Sequence, residues 1–180
     1  MSSNSSQDIS TLLSQQSRKL KQVFGDGNCF FRAMAVILYN DQNLHLKVRS
    51  DIVNFISDNK LLFEPLVINP RGRETIDLHI QKMKNPTVWA TQVELQAAVE
   101  LYGVPLYLFT QTPDKKSYQW LCFTKRTKSS KCVAHTHIEL AHPGSVHFDC
   151  IVDGTTNEIS TTPPQLPGNN GLQPPVVQIT

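Results

Sequence analysis

Residues 26–33 read Asp-Gly-Asn-Cys-Phe-Phe-Arg-Ala, so a cysteine stands between a small polar turn and the start of an apolar, helix-like run. A thiol is a nucleophile only as its thiolate, and a free cysteine with a pKa of ~8.5 is mostly protonated at neutral pH. The start of a helix favours the ionised form, because its first N–H groups are unpaired and the helix dipole is positive there. Gly27 and Asn28 suit a tight turn in which N–H groups converge on one point. The same donors could hold the oxyanion of a tetrahedral intermediate. The stretch by itself leaves a second reading open, a cysteine simply buried at a helix start, since cysteine is among the most buried residue types.

A thiolate also needs a base. The six histidines stand at 45, 79, 135, 137, 142 and 147. His45 and His79 fall within expected amphipathic helices and are assigned to solvated faces, and His142 falls in an Ala-His-Pro-Gly-Ser loop. His147 differs, because it opens an alternating run with an acid two places on, in His147-Phe148-Asp149. Residues i and i+2 of a strand face the same way, with Cα atoms ~6.5 Å apart. Asp149 is therefore placed to accept a hydrogen bond from the His147 ring, fix its tautomer and stabilise the imidazolium. That is the orienting part in a nucleophile–base–orienter set. Alone, the tripeptide reads as well as a strand start with two solvated polar residues. Spacing cannot bring Cys29 and His147 together across 118 positions (147 − 29).

The elements that must position these residues can be read from periodicity and punctuation. Residues 8–23 keep helical spacing through Ile9, Leu12, Leu13, Leu20 and Val23 and predict an amphipathic helix. A largely buried helix is expected over 29–40, a third over 44–59 and a short one over 73–84. Thr-Gln-Val-Glu at 91–94 fits a capping box, and Gly103 stands where the cap of the helix ending at Tyr102 is expected. Residues 104–110 and 117–124 read as two strands around a turn, and 137–140 and 147–152 as two more. Helices dominate the first hundred residues and strands the last fifty. The fold class is α+β, with a small, mostly antiparallel central sheet flanked by helices.

The 180 residues suit one domain with a substantial core. That domain is expected over 8–153, with 1–7 disordered and the Pro/Thr/Gln-rich segment 154–180 a tail or linker. With 39% apolar and 18% charged residues, the composition is that of a soluble globular protein. A net charge of +2 is too small to imply nucleic acid or a membrane surface as partner. The longest apolar run, 33–39, is far short of the ~20 residues that span a bilayer. The polar first ten residues resemble no secretory signal, so the four cysteines are expected to be free thiols in a reducing compartment. The expected location is cytoplasmic, with the nucleus also open.

Three blocks in the right order resemble the ovarian-tumour (OTU) family of cysteine deubiquitinases. They are Asp26-Gly27-Asn28-Cys29-Phe30-Phe31-Arg32, then Trp89 with Glu94-Leu95-Gln96-Ala97, then His147-Phe148-Asp149. The resemblance covers about residues 18–153. It implies a papain-like fold with Cys29 as nucleophile, His147 as general base and acid, and Asp149 as the residue orienting the histidine. Asp26 would hold the turn so that backbone N–H groups there, around Gly27 and Asn28, form the oxyanion hole. Trp89 and the helix after it would be structural or near the site. The implied reaction is hydrolysis of isopeptide bonds at the C-terminal glycine of ubiquitin through a thioester, with no metal or cofactor and with ubiquitin or polyubiquitin as partner. The ubiquitin tail is slim, so a narrow groove is expected over Cys29, lined by the loops 61–75 and 141–146. The alternatives are a protease for a ubiquitin-like modifier and a non-catalytic ubiquitin-binding module. Oligomeric state is not legible.

Two further patterns carry less. Cys122, Cys132, His135 and His137 match none of the common structural-zinc frames. The basic stretch 125–131 lacks the interleaved aromatics of a nucleic-acid surface and reads as a solvated loop, as do Arg71 and Arg73.

Overall fold

The computed structural model describes residues 8–67, 74–126 and 137–164. Its helices are α1 (Ile9–Ser14), α2 (Cys29–Tyr39), α3 (His45–Asp58), α4 (Lys60–Phe63), α5 (Ile76–Met83) and α6 (Gln92–Tyr102). Its strands are β1 (Arg18–Lys21), β2 (Leu106–Gln111), β3 (Tyr118–Phe123), β4 (Ile138–His142) and β5 (Asp149–Asp153). They form one sheet in the order β1-β5-β4-β2-β3. β2 and β4 are parallel and the other three pairings antiparallel. The architecture is the α+β one expected.

Period-two alternation divides the sheet into two faces. Leu106, Leu108, Ile138, Leu140 and Cys150 join the main core, where α2, α3 and α6 pack. Phe109, Trp120, Ala141 and Ile151 face the other way and are covered by Ile9 and Leu13 of α1. α2 is apolar on nearly every side and is accordingly sunk in the core. Asn40 ends it in the left-handed conformation, its N–H returning to the Val36 carbonyl.

α6 begins with the capping box expected at Thr91 and Glu94 and ends at Gly103, whose φ of 75° is left-handed. Its polar side chains are buried but partnered. Gln96 donates to the Thr124 carbonyl at 2.9 Å, and Glu100 accepts from the Arg126 N–H at 2.6 Å. His79 of α5, expected on a solvated face, is instead buried with Nε2 2.7 Å from Glu94 Oε1.

The helix expected over 8–23 is the largest departure. α1 stops at Ser14, Ser17 turns left-handed with φ 57°, and Arg18–Lys21 becomes the edge strand β1. Leu20 and Val23 mimic helical spacing, but the open side of β5 offers a ladder of backbone groups, and β1 takes it. Arg18 then points inward, where its guanidinium meets both oxygens of Glu139 at 2.6 and 2.8 Å. Residues 154–164, expected as the start of a tail, turn back beside β1. Gly154 N–H donates to the Ser17 carbonyl, and Arg18 Nη2 donates to the Thr162 carbonyl.

Candidate active site

Cys29 is the first residue of α2 and only 7% exposed. The turn before it is held by its own side chains. Asp26 Oδ1 accepts from the Asn28 N–H at 3.1 Å, and Arg32, one turn into α2, grips the Asp26 carboxylate with Nη2 at 2.6 Å and Nε at 3.1 and 3.2 Å. These hydrogen bonds, those from Arg32 foremost, hold the Asp26 carboxyl well below the usual carboxylate range. Asp26 is thus a brace for the turn.

Gly27 has φ +78°, and a Cβ there would overlap the Thr87 carbonyl, so conformation and space both require glycine. Asn28 occupies the N-cap position but does not cap α2 with its side chain. Its Oδ1 accepts instead from the Thr87 N–H at 3.0 Å and from Arg49 Nη2 at 2.9 Å. The Asn28 N–H is taken by Asp26. That leaves the N–H groups of Gly27 and Cys29 without a protein acceptor among the described residues.

His147 and Asp149 enter from the sheet. Asp149 is the first residue of β5, and His147 lies just ahead of it with its side chain 26% exposed. His147 Nε2 lies 2.9 Å from Asp149 Oδ1, and the same oxygen accepts from the Val23 N–H at 3.0 Å. The other edge of the ring faces the Cys29 loop: a Cβ on Gly25 would sit 3.6 Å from both Nδ1 and Cε1. Phe30 and Phe148, the residues after Cys29 and His147, pack edge to face at 5.5 Å. Cys150 Sγ donates to the Ala33 carbonyl at 3.3 Å, so β5 runs against α2 along its first turns. The fold thus sets His147 beside Gly25 and Phe148 beside Phe30, on either side of Cys29 in the chain.

Burial, and then the neighbouring His147, push His142 below the ordinary imidazole range. Its ring stacks on Phe148 at 4.3 Å and supports the strand. Trp89 is 59% exposed, in the loop whose Val88 carbonyl accepts from Arg49 at 2.9 Å. Of the loops expected to line the groove, residues 143–145 form a short 3-10 turn that leads directly into His147, and 68–73 lie outside the described residues. Cys132 and His135 also lie outside them. Cys122 is buried in β3, and His137 Nε2 is 2.9 Å from Glu139 Oε1.

Arg49 is the functional candidate that the sequence reading passed over. It shares a helical face with Ile52, Val53 and Ile56, and a charge on an otherwise apolar stripe was the available signal.

Solved OTU domains share this fold. The structure of the OTUD1 OTU domain matches with a TM-score of 0.67 at 23% identity, covering 80% of this chain and 91% of that one. An OTU deubiquitinase from Wolbachia pipientis, solved bound to ubiquitin, matches at 0.59 and 21% identity, covering 77% and 97%. The family model described as OTU-like cysteine protease matches residues 24–147, and the chain belongs to that family. OVARIAN TUMOR DOMAIN-containing deubiquitinating enzyme 9 of Arabidopsis thaliana is 28% identical over 128 residues, 68% of this chain and 35% of the relative. The chain thus spans about a third of that relative's length.

Proposed function

We propose that the chain is a cysteine-dependent deubiquitinase acting on isopeptide bonds at the C-terminal glycine of ubiquitin. The observation that carries this is the orientation of His147, with Nε2 committed to Asp149 and Nδ1 turned toward the loop that delivers Cys29. Family membership, and the ubiquitin seen on the Wolbachia neighbour, support the choice of substrate.

The Cys29 thiolate attacks the glycine carbonyl carbon, and the carbonyl oxygen takes up the negative charge. The N–H groups of Cys29 and Gly27 are the donors left to receive that charge. As the intermediate collapses, the C–N bond breaks and the His147 imidazolium gives its proton to the departing lysine amine. A thioester remains. His147 then takes a proton from water, hydroxide adds to the thioester carbon, and the thiolate leaves to regenerate the site. Asp149 keeps the imidazole in the required tautomer throughout.

The test is incubation with ubiquitin carrying an electrophile at its C-terminus, read by intact mass and peptide mapping. One ubiquitin added at Cys29, absent in His147→Ala, is the expected result. No adduct from folded protein would overturn the reading. The same electrophile on ubiquitin-like modifiers would then distinguish a protease for another modifier from a binding module.

A further inference from the structure

A buried cation stands behind the Cys29 turn, and the chemistry above makes no use of it. Arg49 is 3% exposed. Its Nη1 donates to the Met83 carbonyl at 3.1 Å, and Nη2 to the Val88 carbonyl and Asn28 Oδ1, each at 2.9 Å. The Gly27 carbonyl is 3.5 Å from the same nitrogen. The guanidinium lies over the Phe31 ring at 3.9 Å, and Nε is buried without a partner. One side chain thus ties the nucleophile turn, the first turn of α2, the end of α5 and the loop before α6.

We propose that Arg49 is a positioning residue for this site: its fork fixes the Asn28 turn, and its charge stands as a permanent counter-charge to the Cys29 thiolate. The inference rests on the thiol-protease reading of Cys29.

Among the described residues, no carboxylate lies within ion-pair distance of Arg49. Burying an unpaired charge is costly, and a neutral side chain could fill the same space over Phe31. Around Arg49, Asp26 is committed to Arg32, and Glu94 to His79 and Thr91. His45 is pushed toward its neutral form, first by burial and then by Arg32, and brings no anion. Against the cost of burial, the Arg49 charge is favoured first by the field of Glu94, then by that of Asp26 and then by that of the Cys29 sulfur, and of these three the sulfur alone has no cationic partner of its own.

Alkylation of Cys29 by iodoacetamide between pH 5 and 10, followed by peptide mapping, reads the thiolate without ubiquitin. Arg49→Gln is expected to slow the pH 7 rate about tenfold while leaving the pH 10 rate within about twofold. Arg49→Lys, which keeps the charge and loses the fork, is expected to restore most of the pH 7 rate. An unchanged pH 7 rate in Arg49→Gln, an equal fall at every pH, or Lys no better than Gln would overturn the proposal. Thermal melts accompany each variant. Where Arg49→Gln does not fold, Arg49→Lys decides by keeping or losing the wild-type ratio of pH 7 to pH 10 rates. Wild-type protein that shows this pH behaviour but forms no ubiquitin adduct would sink the substrate reading and leave this one standing.

Discussion

One oxygen of Asp149 serves two donors, the His147 ring and the Val23 N–H, so the residue holds the proposed base and ties it to the segment after β1. Asn in its place keeps an acceptor oxygen, and alanine keeps none. Turnover of a ubiquitin substrate is therefore expected to fall on the order of tenfold further in Asp149→Ala than in Asp149→Asn. His147→Ala should lose about 100-fold or more, the scale of general acid–base catalysis. Equal losses in the two Asp149 variants would remove the orienting role. The thiols differ just as sharply. Burial pushes Cys150 up to about 12 and raises Cys122 as well. Among the described cysteines, iodoacetamide at pH 7 should label Cys29 first, and mapping preferential label to Cys122 or Cys150 would contradict the fold around them. Gly27→Ala forces a side chain to φ +78° against the Thr87 carbonyl. It is expected to cost about 1–3 kcal/mol of stability, read by denaturant melts.

α5 and α6 are joined through His79 and Glu94. Burial works against a charge on His79, but its hydrogen bond to Glu94 and the fields of Glu94 and Glu74 outweigh burial, and the ring holds its proton more tightly than a free imidazole. A pKa raised on folding adds stability that is complete below the ordinary value of ~6.5 and is lost as pH rises through the folded value. The gap in melting temperature between wild type and His79→Gln should therefore be widest near pH 6 and narrow above pH 6.5. A gap that widens with pH would reverse the assignment. Sequence made α6 easy to read because its start and stop are local chemistry, Thr91 with Glu94 and then Gly103. The same locality exposed Cys29 and the pairing of His147 with Asp149. The partners of His79 and Arg49 were hidden because they lie on other elements, and helical periodicity says only which face a residue occupies. β1 was misread for a related reason: a four-residue edge strand takes its conformation from β5, which is remote in sequence.

At the scale of the molecule, the first elements cover one face of the sheet. Ile9 and Leu13 are buried against Phe109, Trp120, Ala141 and Ile151, and Arg18 is buried against Glu139. A chain beginning at Val23 retains every proposed catalytic residue and the whole family match from residue 24. It gives up two buried apolar side chains worth ~1.5–3 kcal/mol each, together with β1. Its melting temperature should drop by on the order of 10 °C, and an unchanged melt would show that α1 and β1 are dispensable. The sheet order has a temporal consequence. β1 is among the first elements made, yet its only sheet partner among the described residues is β5, the last of the described strands. A chain growing on the ribosome carries the thiol for 118 residues before His147 is added, an interval of roughly 6–24 s at ~5–20 residues per second. Through that interval the edge strand is unmoored and Cys29 lacks its proposed base. Under the proposed chemistry, hydrolysis begins only when one late strand slots between β1 and β4, and a chain clipped before that point is silent.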